Sequence, residues 1–183
     1  MIFRWFAPTP RDLSIPCLYG AIVAQARQRA FYEAYGVPDT VTGRLEMIML
    51  HLILVLRHFQ QPKLGRRNLG QALFDRFCCD MDDNMREMGV GDLAVPRKMR
   101  LIGAAFYARQ TAYGTALAGG GSEEKLSAAL ARHVYGGHSE VGAAARLAGY
   151  CRGVAEGLAG QDRFDHGTIR FPDPEQVHAA AQS

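Results

Sequence analysis

The run from Met47 to Leu56 is apolar except for His51. Leu45, Ile48, Met49, Leu52, Ile53 and Leu56 recur at the three-and-four spacing of one helical face. Met47, Leu50, Leu54 and Val55 make the other face apolar as well. A helix that is apolar all round has to be surrounded by protein. The run is about half the length a bilayer span needs, and Arg44, Glu46, Arg57 and His58 stand at its ends. It therefore predicts a central core helix, capped by Asp39 or Thr40 and ending near His58, with the rest of the chain wrapped around it.

The flanking segments keep the same period. Ser14 is placed to cap a first helix that tolerates Pro16 and stops at Gly36. Asn68, with Gln71 three residues on, suits the start of a third helix, whose Leu73, Phe77, Met81, Met85 and Met88 share a face. Asp75, Cys79, Asp82, Asp83 and Arg86 share another, and Asp82 and Arg86 are spaced to pair. Pro96 starts a fourth helix with Met99, Ile102, Phe106, Tyr113 and Leu117 inward. Ser122 caps a fifth with Glu123 and Glu124 in its first turn, and Ser139 a sixth. Phe171-Pro172-Asp173-Pro174 reads as extended, and no convincing strand alternation appears. The chain of 183 residues suits one domain. The expectation is all-α: a single compact domain of six or seven helices over residues 14–160, after an N-terminal segment 1–13 and before an extended tail 161–183.

The net charge is +3, and 18 of the 21 basic residues are arginine. Basic groups gather at Arg57-His58, at Lys63, Arg66 and Arg67, and at Arg97, Lys98 and Arg100. Solvated helix ends account for them, or an anionic surface such as RNA or lipid phosphate. Arg66, Arg67, Arg97 and Lys98 are the candidates for that surface. Aromatic residues are not interleaved with the charges, which argues against single-strand stacking. Cys17, Cys78, Cys79 and Cys151 have no C-x-x-C spacing, a pattern of reduced, buried thiols. The apolar start Met1–Phe6 is too short for a signal peptide. A cytoplasmic place follows as the expectation, with at most peripheral contact at the inner face of the inner membrane.

The usual catalytic and ligand signatures fail. Asp80, Asp82 and Asn84 begin like a calcium loop, but the sixth position is Met85 and the twelfth Gly91. No H-E-x-x-H occurs, and the one E-x-x-H, Glu175 and His178, lies in the tail. Gly89-Val90-Gly91 follows a helix and lacks the rest of a phosphate loop. Cys78 and Cys79 have no nominated base. His51 reads as a hydrogen-bonded core histidine, with pairing to Asp80 or Asp82 as the alternative. No catalytic residue, metal or cofactor is expected, and no DNA partner.

Asp80 to Pro96 is the unusual stretch: acids mixed with methionines, then two glycines, then a proline. A core helix does not need so many acids, nor a solvated one three methionines. Methionine adapts to gaps in a core and also to varied apolar partners. On the second reading, Met81, Met85, Met88 and Leu93 contact a client. Asp82, Arg86, Glu87 and Asp92 orient it, Gly89 and Gly91 let the loop adapt, and Asp80 completes the client-binding candidates.

Three pieces of the chain resemble the ubiquinol–cytochrome c chaperone family. The first is Phe31-Tyr32, Tyr35-Gly36-Val37-Pro38-Asp39-Thr40, Gly43-Arg44-Leu45-Glu46-Met47-Ile48 and Leu50-His51-Leu52. The second is Gln71-Ala72-Leu73-Phe74-Asp75, Phe77, Asp80-Met81-Asp82, Met85-Arg86-Glu87-Met88-Gly89-Val90-Gly91-Asp92 and Val95-Pro96; the third is Phe106-Tyr107-Ala108-Arg109. The resemblance implies a helical, non-enzymatic assembly factor that holds newly made cytochrome b, or another nascent membrane subunit, before it joins respiratory complex III. Mitochondrial members act with a small partner protein near the ribosomal exit; without a transit-peptide pattern, this chain is similar to a compact bacterial version. The rival readings are a haem- or cofactor-handling protein using His51 or Cys79, and a ribosome- or RNA-binding module.

Overall fold

A computed structural model describes residues 10–61, 67–119, 121–140, 142–161 and 169–180. Among them every regular element is a helix: α1 (Pro10–Ala26), α2 (Arg29–Glu33), α3 (Val41–Phe59), α4 (Arg67–Glu87), α5 (Val95–Ala116), α6 (Glu123–His133), α7 (Ala143–Ala159) and α8 (Pro174–Ala180). The all-α expectation holds, with six long helices and two short ones.

The central helix is α3. It packs against α1, α4, α5 and α7, and Met47, Leu50, Leu52 and Val55 are fully buried. The side chain of Thr40 caps it by accepting from the Gly43 N–H. That turn has no room for a side chain at position 43, where a Cβ would lie 2.0 Å from the Pro38 carbonyl oxygen. Ser122 caps α6 by accepting from the Lys125 N–H.

Five expectations change. The first helix starts at Pro10, so Ser14 and Pro16 lie inside it, and it does not run on to Gly36. The chain breaks at Gln28, whose ψ is 130°, and restarts as α2. Phe31 is thereby turned onto His51 and Tyr150, ring centroids 5.3 and 4.9 Å away. Gln71 donates to Asp75 Oδ1 instead of closing a capping box, because α4 already includes Arg67 and Asn68. Gly142 in the left-handed region (φ 81°), not Ser139, precedes α7.

The fourth change is the tail. Asp173 Oδ1 accepts from the Glu175 N–H with Pro174 at the first helical position, the arrangement that begins a helix. The segment before it is held to the domain: Ile169 is buried, the Phe171 ring sits 5.5 Å from His51, and the Pro172 and Pro174 carbonyls accept from Gln25 and Tyr35. Nor are the thiols all buried. Cys17 and Cys79 are exposed, Cys78 is half-buried and only Cys151 is inside. Cys79 belongs to the outward row of α4 with Asp75, which places it in solvent.

Candidate functional site

The turn joining α4 to α5 is tightly built. The Val90 N–H donates to the Met85 carbonyl and the Gly89 N–H to that of Arg86. With Gly89 left-handed at φ 78°, this is a Schellman termination of α4. The Ala94 N–H then donates to the Gly91 carbonyl and starts the first turn of α5. Across this frame Arg86 reaches Asp82 Oδ2 at 2.6 Å and also bonds to Asp92. One guanidinium thus ties the last turn of α4 to the loop. The pairs are exposed and individually weak, but the backbone beneath them is already fixed.

The turn presents two apolar side chains to solvent: Met88 is 64% and Leu93 98% exposed. Arg86, Glu87, Gly89, Gly91 and Asp92 are exposed beside them. The other candidates of this stretch face elsewhere. Met85 is 6% exposed and so is closed to a partner, and Met81 packs half-buried against the core, which leaves only part of its side chain open. Asp80 accepts from the Tyr19 hydroxyl at 2.8 Å, and Arg76 lies over the Tyr19 ring; that row of α4 is its joint with α1.

The basic candidates do not form one patch. Arg97 and Lys98 are exposed on the first turn of α5. Arg67 is exposed at the opposite end of α4, about 30 Å away at 1.5 Å per residue. Arg66 and Lys63 lie outside the described residues.

A cleft of about 500 Å³ opens between α3, α4 and α5. Leu56, Phe59, Phe74 and Phe106 form its apolar lining, with Gln60, Arg67, Gln71, Tyr107 and Gln110 contributing polar groups. The Phe74 ring lies 4.8 Å from Phe106 and 5.8 Å from Tyr107. Gly70 is part of the wall, where a Cβ would touch Leu56 at 3.4 Å. Reading the helices one at a time misses this cleft. Its signal is the pairing of aromatics at 74 and 77 with those at 106 and 107.

Two buried polar clusters brace these elements. Glu46 of α3 and Arg109 of α5 form a two-pronged pair at 2.6 and 2.5 Å. Burial pushes the Glu46 carboxyl up, and the bonds from Arg109 oppose this. His51 is fully buried; its Nδ1 donates to the Met47 carbonyl at 2.8 Å, which leaves Nε2 to accept from the Tyr150 hydroxyl at 3.0 Å. Gln25 also donates to that hydroxyl. Burial holds the His51 pKa down at about 4. Both ring nitrogens are occupied, so His51 is neither paired with Asp80 or Asp82 nor open to a haem iron. Burial raises the Cys78 pKa, with Asp75 adding to it, so this thiol is a poor nucleophile.

Fold and geometry together describe a helical domain that presents a fixed turn and a cleft of mixed apolar and polar lining. The sequence profile described as ubiquinol-cytochrome C chaperone matches residues 33–168, and the chain belongs to that family. A solved structure, the crystal structure of the Cbp3 homolog from Brucella abortus, superposes with a TM-score of 0.82 at 34% identity, over 92% of this chain and 93% of that one. None of the curated proteins compared matches the chain.

Proposed function

We propose that this chain is a non-enzymatic chaperone that holds newly made or apo cytochrome b and delivers it to the ubiquinol–cytochrome c reductase complex. Family membership supports a chaperone role and implies a client protein. The observation that supports the surface is the α4–α5 turn, a pinned loop that leaves Met88 and Leu93 outside. Holding them there in the free protein removes ordering cost from binding. Covering a large apolar side chain contributes about 2 kcal/mol. Arg86, Glu87 and Asp92 at the rim set the approach of the client more than its affinity. The cleft of Phe74, Phe106 and Tyr107 suits a second apolar anchor.

The client is a membrane subunit, but no helix among the described residues is long and apolar enough to cross a membrane itself. In this reading the chaperone meets its client at the inner face of the inner membrane. Deleting the gene should reduce assembled complex III and its b-type haem spectrum, and the wild-type gene should restore both. Normal complex III in the deletion strain would reject the proposed role.

A further inference from the structure

We propose that the groove filled by residues 169–174 is a binding site for an extended, proline-containing segment of a partner protein, and that the chain's own tail holds it as a tethered stand-in. This goes beyond the client reading and does not depend on it. Ile169 to Asp173 form no helix and lie just before α8. Their side chains alternate: Ile169 is buried, Arg170 is exposed, and Phe171 packs inward again against the core. The Phe171 ring meets the buried His51 ring edge-on, with centroids 5.5 Å apart.

Among the described residues, the hydrogen bonds from the rest of the domain go to the main chain of this segment. The side-chain amide of Gln161 reads residue 170 twice: Nε2 donates to its carbonyl at 2.8 Å, and Oε1 accepts from its N–H at 3.1 Å. Gln25 Nε2 donates to the Pro172 carbonyl at 3.1 Å, and the Tyr35 hydroxyl to the Pro174 carbonyl at 3.0 Å. Gln25 is itself held in place by its bond to the Tyr150 hydroxyl at 2.9 Å. Main-chain contacts of this kind give affinity, and side-chain pockets give choice. The groove meets residues 172 and 174 with donors, and proline is the residue that has no N–H in need of an acceptor. The site therefore selects an aliphatic residue, then any residue, then an aromatic ring and a proline, with a second proline two positions on.

A segment held in this way is replaceable. Its anchors are a few carbonyl bonds and two apolar side chains, and α8 beyond it rests on α2 and α7. Tyr35, His51, Tyr150 and Gln161 fall inside the family match, which ends at residue 168, before the segment they hold. Prolines fix φ in advance, so such a segment loses little freedom on docking. Tethering gives the tail an effective concentration on the order of millimolar. A partner segment has to outcompete it, which makes the tail a threshold against weak ligands.

The test is fluorescence anisotropy of the full chain with a labelled peptide that has the sequence of residues 169–177. Wild type should bind it weakly, because the tail competes. Phe171→Ser in the chain releases the tail and should tighten peptide binding at least about tenfold. The peptide carrying Phe171→Ser should bind neither chain. A second measurement needs no variant of the protein. Trypsin cuts after Arg170, which is exposed, and mass spectrometry follows that cut in the wild-type chain. Excess peptide carrying Arg170→Ala should displace the tail and speed the cut several-fold. A Phe171→Ser chain that is folded by circular dichroism but binds the peptide no better than wild type overturns the proposal. So does a cutting rate unchanged by excess peptide, the pattern of a tail that is simply part of the fold. If Phe171→Ser does not fold, the cutting rate alone decides.

Discussion

Gly89 sits at φ 78° with open space around its missing side chain, so backbone conformation alone demands glycine there. A side chain in the left-handed region costs roughly 1–2 kcal/mol. Gly91 also has open space but is not left-handed. Denaturant unfolding should therefore show Gly89→Ala destabilised by about 1 kcal/mol and Gly91→Ala near wild type. Equal effects would contradict the Schellman termination. His51 makes a second residue-scale prediction. Its folded pKa lies at about 4, below the ordinary 6.5. As pH falls below 6.5, the unfolded state takes up a proton that the folded state refuses until about pH 4, so stability falls. Relative to His51→Gln, wild type should lose roughly 3 kcal/mol over that window; parallel pH profiles would contradict the buried, neutral ring. The core role of His51 was legible, since one polar residue in an apolar helix needs a buried partner. Its partner Tyr150 was not, because nothing local marks a contact 99 residues away.

At the scale of elements, pattern and structure part where tertiary packing overrides local preference. α3 was legible because its apolar run and its Thr40 cap agree. The α1–α2 break was not: Gln25 to Arg29 carry good helix formers, and the kink is set by Phe31 and Tyr35 needing the core. α8 was misread although its signal was local, since Asp173-Pro174 is a cap followed by a first-turn proline. The site was legible in part. Spacing placed Asp82 with Arg86, but sequence period alone put Met85 on a partner face that the structure buries. The Glu46–Arg109 pair, between residues 63 apart, was also invisible. It predicts that Arg109→Leu, which strands a buried carboxylate, costs about 3–5 kcal/mol in denaturant unfolding. Glu46→Met with Arg109→Leu should recover most of that loss. A single variant as stable as wild type would mean the pair does not brace α3 against α5.

Across the whole molecule, a core built on α3 holds α4 and α5 as a braced hairpin whose turn faces outward. Rigidity is placed beneath the turn and apolar surface on top of it, which suits a protein that receives another chain. The most direct test is capture of newly translated apo-cytochrome b by the purified protein, wild type against Met88→Asp with Leu93→Asp. Both side chains are exposed, so the fold should be unchanged. The account predicts that the double variant captures its client roughly a thousandfold more weakly. Undiminished capture by a correctly folded double variant would contradict it.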